Sequence, residues 1–363
     1  MIAHKCACAM LRRLAARSVA AERRFLGDMG LPSAIIFLAG RPDGPAEWLH
    51  AGQPATMRRG YFDMSDPLLS FADRDGAIWF DGRMLPWRDA QLHVLTHGLH
   101  YASAVFEGER AYGGNIFLSR EHSERLHNSA RILDFEIPYS VDELEAAKYA
   151  VLRANNIVDG YVRPLAWRGA EMMGVSAQSN KIHVAIAAWE WPSYFSPEMR
   201  AKGIRMKTGP WRRPDPASAP VESKAAGLYM ICTLSKHAVE AEGYQDALML
   251  DWRGLVSEGT GANIFLIKDG VMHTPTPDCF LNGLTRQTVM QLAAKRGIQV
   301  VERHIKPEEL GGFTECFVTG TAAEVTPVGE IDEHRFTPNQ ITEALLTDYE
   351  TLVRKPSAAE AAE

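Results

Sequence analysis

The chain has 363 residues, 46% of them hydrophobic and 23% charged, and a formal net charge of −6. That length suits two domains better than one small one. The charge gives no basis for nucleic acid or an anionic membrane as a partner, and no apolar run approaches the roughly 20 residues that span a bilayer.

The first 74 residues read as leader and linker. "LRRLAARSVAAERRFL" is rich in Arg and Ala and short of acids, the composition of a transit peptide or an amphipathic surface helix. The Pro- and Gly-bearing stretch after it has no periodic apolar face, so a disordered segment is expected. Order is expected from "AIWFDGRML", where two apolar runs flank Asp81-Gly82, a tight-hairpin dipeptide. "SREHSERLHNSARILDF" reads as a helix, with Ser119 as its cap, His122 at the capping-box position, and Leu126, Ala130 and Leu133 at helical spacing. A second helix follows Ser140, with Glu143 three residues on. "GYVRPLAW" and "KIHVAIAAW" are strand-like.

Residues 190–203 read as an interdomain connection. A second unit, 204–353, opens with the strand "IRMKT" and a loop holding Pro210, Pro214, Pro216 and Pro220. A helix from Leu228 to Gly243, the strand "DALMLD" and a hairpin around Asp269-Gly270 come next. A helix from Thr285 to Arg296, the strands "IQVVE" and "ECFVTG", and a last helix from Asn339 to Val353 complete it. Residues 354–363 are a tail. Strands and helices mix without strict alternation, which predicts two α+β domains, 75–189 and 204–353. The five cysteines show no Cys-x-x-Cys and no zinc-like Cys/His spacing, so no metal is expected, and reduced thiols in a cytoplasmic protein are.

The chemistry centres on "APVESKAAGLYM". Lys224 there reads either as a loop end before a helix or as a nucleophile, for which an apolar setting favours the neutral amine. Ala225, Ala226 and Gly227 would give a flat ring clearance, and the prolines a stiff wall. Glu258 in "LVSEGTGANIF" reads either as an exposed turn residue or as a partner for a pyridine nitrogen. Thr285 at a helix mouth, the Gly320-Thr321-Ala322 turn and Arg125 are three elements able to hold a phosphate.

Seven motifs in order carry a resemblance: "HVLTHGLHYASAVFEGERAY", "REHSERLHNSA", "YVRPLAW", "SKAAGLYMICTLSKHAVEAEGYQDALMLD", "SEGTGANIFLIKDGV", "FLNGLTRQTV" and "VTGTAAEVTPV". Over about residues 75–353 the chain resembles the branched-chain amino acid aminotransferases, of the fold type IV pyridoxal-phosphate enzymes. The resemblance implies the two-domain α+β architecture of D-amino acid aminotransferase-like enzymes. It implies transfer of the amino group of L-leucine, L-isoleucine or L-valine to 2-oxoglutarate, ping-pong, through an aldimine on Lys224. Glu258 would face the pyridine nitrogen and Tyr229 the phenolic oxygen. Arg125, Leu284, Thr285, Gly320 and Thr321 would hold the phosphate.

Tyr101, Gly108, Arg110, Tyr161, Arg163 and Ala322 would surround the substrate carboxylates. Phe106, Val175, Trp191 and Tyr194 would line the apolar pocket. In "YVRP", Tyr161 and Arg163 alternate with Val162, which places both on one strand face. Ala262 stands where the family often has an acid. A homodimer or higher oligomer is implied. Rival activities of the same fold are D-amino acid or (R)-amine transamination and aminodeoxychorismate lysis; "YVRP" and "EGER" favour the branched-chain reading.

Overall fold

Asp81 (φ 47°) and Gly82 (φ 88°) both sit in the left-handed region. They close the expected two-residue turn between β1 (Ala77–Phe80) and β2 (Arg83–Pro86). The computed structural model describes residues 70–191 and 202–355, within one compact unit. Most of the leader, most of the interdomain stretch and most of the tail lie outside the described residues.

After the hairpin come α1 (His97–Tyr101), β3 (Ala104–Phe106), β4 (Glu109–Tyr112) and β5 (Asn115–Ile116). Helices α2 (Ser119–Ile132) and α3 (Val141–Ala154) precede β6 (Gly160–Arg168) and β7 (Ile182–Trp189). The strands form an antiparallel sheet in the order β2-β1-β7-β6-β4-β5, with β3 also on β6. Leu126 and Ala130 of α2 and Leu144 and Val151 of α3 share a core with Val162, Val184 and Ile186 of the sheet.

Ser140 and Glu143 form the expected capping box. Ser119 does not cap α2: Leu118, in the left-handed region, holds that position without a side-chain bond. The Ser119 hydroxyl instead accepts from Lys148 at 3.2 Å. His122 is likewise no capping-box residue, because its ring turns inward to Glu107. Both side chains are drawn to buried charges, and those outbid the helix end. Lys148 is fully buried on α3 and also donates to Glu109 and Glu145, at 2.8 Å each.

The second sheet contains β8 (Ile204–Arg213), β9 (Asp246–Asp251), β10 (Val256–Glu258), β11 (Asn263–Lys268), β12 (Val271–Thr274), β13 (Val300–Glu302), β14 (Glu315–Gly320), β15 (Glu324–Ile331) and β16 (His334–Arg335). Its order is β10-β9-β8-β15-β14-β11-β12-β13, and β10 also pairs with β11. That last pairing closes six strands into a small barrel. Ile264 and Leu266 of β11 and Cys316 and Val318 of β14 join residues from the other four ring strands in one cluster, the barrel lumen. Their alternates Phe265, Ile267 and Phe317 pack outward, against Val289 and Leu292 of α5 (Leu284–Lys295) and Leu345 of α6 (Gln340–Val353), numbered after α4 (Met230–Glu240). Strands covered on both faces are apolar throughout, which is why "NIFLI" shows no alternation.

Candidate active site

Lys224 is pinned by its backbone before its side chain does anything. Its N–H donates to Ser129 Oγ at 3.0 Å, and its carbonyl accepts from Phe106 N at 3.2 Å. Ser223 Oγ donates to the Ser129 carbonyl at 2.9 Å. The amine donates to Tyr229 Oη at 2.8 Å and lies 5.0 Å from the centre of the Phe106 ring. Phe106 and Tyr229 meet edge-on at 4.8 Å.

The small residues behind the lysine serve the chain more than the cavity. Ala225 is buried and bridges to Val105, while a Cβ on Gly227 would lie 3.0 Å from that of Ala102. They let this segment cross β3 closely, and none lines the cavity around Lys224. The prolines do not line it either. β8 runs on through Pro210 as far as Arg213, and it is the Arg213 side chain that reaches the cavity.

Glu258 ends β10 at 8% exposure, so it is no surface turn residue. Asn263 stands directly across in register and donates Nδ2 to Oε2 at 3.1 Å. Arg213 Nε lies 3.3 Å from Oε1, without the alignment of a hydrogen bond. Burial pushes the Glu258 carboxyl up to about 7, and Arg213 and Lys224 only partly offset that. A further cation beside Glu258 would favour its ionised form.

Asn263 also ties this corner to α5. Its Oδ1 accepts from Gly283 N at 3.1 Å, and a Cβ on Gly283 would fall 2.3 Å from that oxygen. Gly283 caps α5 without a side-chain bond, so the N–H groups of Leu284 and Thr285 open the helix with no capping group. Thr285 is thus the second residue of the helix, not its cap. Thr319 Oγ1, buried without a partner, and Gly320 and Thr321 close the cradle at the end of β14. Arg125 faces it from α2. All these groups line one cavity.

The chain matches the family described as amino-transferase class IV over residues 104–331. It is 43% identical over 300 residues to a branched-chain-amino-acid aminotransferase of Pseudomonas aeruginosa, covering 81% of this chain and 98% of that one. The chain belongs to the class IV aminotransferases. A branched-chain amino acid aminotransferase from Thermobaculum terrenum, solved in its PLP-bound holo form, superposes with a TM-score of 0.71 at 30% identity, over 77% of this chain and 94% of that chain. A branched-chain aminotransferase from the archaeon Thermoproteus uzoniensis, solved with norvaline, gives a TM-score of 0.74 at 36% identity, over 78% of this chain and 96% of that chain.

Against this class IV frame, Lys224, Tyr229, Glu258, Arg125, Leu284, Thr285, Gly320 and Thr321 all line one cavity. Arg110 lines a small adjoining one with Thr285 and Thr321. Arg163 Nη2 donates to Tyr161 Oη at 3.0 Å, which puts the two on one face as the strand alternation requires. A Cβ on Gly108 would lie 1.9 Å from that hydroxyl. Trp191 packs on Tyr161 at 5.1 Å, and its carbonyl accepts from Arg110. Ala322 follows Thr321 in the turn and does not line the cavity. Tyr101 and Val175 do not reach it either: they are 45% and 84% exposed, and Tyr101 Oη donates to the Met173 carbonyl. Tyr194 lies outside the described residues.

Arg213, Asn263, Glu107 and Ser129 escape a reading of the sequence. Arg213 sits in a stretch whose prolines suggest a loop, and Asn263 opens what reads only as a strand. The partners of Arg213, Glu107 and Ser129 lie 45, 18 and 95 residues away in the chain, where no local pattern links them, and Asn263 meets Glu258 across a short hairpin.

Proposed function

We propose that this chain moves the amino group of leucine, isoleucine or valine to 2-oxoglutarate, with pyridoxal phosphate in the Lys224 cavity. The observation that carries the reading is the meeting of three unlike groups in one cavity: an amine, a buried carboxylate and an uncapped helix N-terminus. Each matches one part of that cofactor. The N–H groups of Leu284 and Thr285, the Thr321 turn and Arg125 would hold its phosphate. Glu258 would meet the protonated ring nitrogen, a cation that would favour the carboxyl's ionised form. Tyr229 would face the ring hydroxyl. Bound there, the cofactor supplies an electron sink for bond breaking at the substrate's α carbon.

Lys224 would anchor the cofactor and then move the proton at that α carbon, steered by its bond to Tyr229. Arg163, Tyr161 and Arg110 would take substrate carboxylates at the rim, and Phe106 and Trp191 an apolar side chain. This keeps charge off the apolar floor while one site serves leucine and glutamate in turn.

A second copy of the chain is part of the proposal. Val94, Leu99, Tyr101, Met172 and Val175 are exposed apolar residues, and the Tyr101–Met173 and His97–Gly174 bonds join the segments 97–101 and 172–175. Such segments suit a homodimer, and they carry Tyr101 and Val175, two of the expected substrate residues that lie outside the cavity. We also propose domain limits at 75–189 and 204–353, which enclose the two sheets, and a cytoplasmic setting. The described cysteines Cys232, Cys279 and Cys316 are free and buried, and no described helix is long and apolar enough to cross a membrane.

Purified protein supplied with pyridoxal phosphate is expected to form glutamate from leucine and 2-oxoglutarate, and to lose both that activity and its visible cofactor absorbance in Lys224→Ala. Absence of glutamate, or pyruvate release from aminodeoxychorismate instead, refutes the assignment.

A further inference from the structure

The group that holds Arg125 plays no part in the reading above, yet it lies wholly inside the protein. Glu107 directly follows β3 and is 0% exposed. Arg125 donates Nε to Oε1 and Nη2 to Oε2, both at 2.7 Å, a forked pair that fixes the guanidinium plane. His122, one turn earlier on α2, places Nδ1 2.7 Å from Oε2, and the Gly108 N–H lies 3.3 Å from the same oxygen. Burial raises the Glu107 carboxyl's pKa, but Arg125 and His122 together more than reverse that and hold it well below the usual carboxylate range.

The same two segments hold the lysine. Phe106, the residue before Glu107, donates its N–H to the Lys224 carbonyl. Ser129, one turn beyond Arg125 on α2, accepts the Lys224 N–H. One strand end and one helical turn therefore touch both the amine-bearing residue and the arginine of the cradle.

We propose that Glu107 is a positioning residue: by locking the Arg125 guanidinium, it sets where the cofactor's phosphate sits relative to the Lys224 amine. The proposal rests on the functional reading above. Its physical logic is unusual in sign. A carboxylate against Arg125 reduces the positive field offered to a phosphate, so on charge alone Glu107 should weaken binding. Its benefit is geometric: the arginine is held in one orientation, with no rotamer freedom left to lose when the phosphate arrives.

The test strips the full chain of cofactor and titrates it with pyridoxal phosphate and with pyridoxal, which lacks the phosphate. It compares wild type, Glu107→Gln and Glu107→Asp, with folding checked by circular dichroism. Both variants are expected to bind pyridoxal phosphate about 10-fold or more weaker, the scale of a disturbed hydrogen bond to a charged group. Both should bind pyridoxal as wild type does. Unchanged or tighter pyridoxal phosphate binding in Glu107→Gln overturns the proposal, since charge would then outweigh geometry. Equal losses for both ligands also overturn it, as does failure of both variants to fold, because Glu107 would then serve the fold. Wild-type protein with no preference for pyridoxal phosphate over pyridoxal would refute the functional reading instead.

Discussion

Gly108→Ala tests how the rim of the cavity is built. Gly108 is not among the residues with positive φ, so alanine fits the backbone and the change is purely steric. The added Cβ would lie 1.9 Å from Tyr161 Oη, whereas ordinary contact begins at 3.4 Å, so the hydroxyl must retreat by about 1.5 Å. The ring cannot slide away. It packs against Trp189 and Trp191 at centroid distances of 5.2 and 5.1 Å, and its strand is paired with β4 and β7 on either side. Rotation is the remaining escape, and it breaks the 3.0 Å bond from Arg163. A hydrogen bond to a charged group contributes about 1.5–3 kcal/mol, roughly 10- to 150-fold in a rate or binding constant.

The loss should fall on the substrate with the extra carboxylate. Single-turnover measurements of the two half-reactions separate them. The glutamate half is expected to slow by about 10-fold or more at subsaturating substrate, and the leucine half by less than about 5-fold, the scale of modest strain from one added methyl. Equal losses in the two halves, or an unaffected glutamate half, would refute the link between Tyr161, Arg163 and carboxylate recognition.

Three further outcomes follow from the buried polar groups. Lys148→Met strands Glu109, whose carboxyl burial pushes up and Lys148 holds down; denaturant titration should show a loss of about 3–5 kcal/mol, largely recovered in Lys148→Met/Glu109→Leu. Recovery failing would mean the ion cluster does more than satisfy itself. In cofactor-free protein Glu258 is raised to about 7. Its contribution to stability is therefore complete below about pH 4.5 and is lost as pH rises to about 7, by up to about 3 kcal/mol. Melting temperatures at pH 5 and pH 8 should differ more in wild type than in Glu258→Gln, and saturating cofactor should shrink the difference. Asn263→Ala removes the acceptor for Gly283 N and a donor to Glu258. Cofactor titration should show affinity lower by about 10-fold, since an unpaired buried group costs about 1–3 kcal/mol.

Much of the fold was legible because its signals are local. The Asp81-Gly82 turn, the Ser140–Glu143 capping box and the helical spacing of Leu126 and Ala130 each reflect a few adjacent residues obeying backbone and side-chain preferences. Ser119 and His122 looked equally local and were misread. Their partners Lys148 and Glu107 are 29 and 15 residues away, and a buried charge binds a hydroxyl or imidazole more strongly than a solvated helix end does.

The amino-acid order alone determined the kinds of groups in the cavity: an amine at 224, a carboxylate at 258, a helix mouth at 285 and a turn at 320–321. It also determined that Tyr161 and Arg163 share a face, because strand alternation admits no other outcome. Only the tertiary structure decided that Glu258 is buried, that Arg213 and Asn263 stand against it, and that the alanines behind Lys224 make room for β3. Barrel closure through the β10–β11 pairing brings Glu258 beside Asn263, and Asn263 reaches the mouth of α5. Arg213 reaches the same carboxylate because β8 lies beside β9 and β9 beside β10, and that strand order follows from closing the sheet rather than from any stretch of residues read in order.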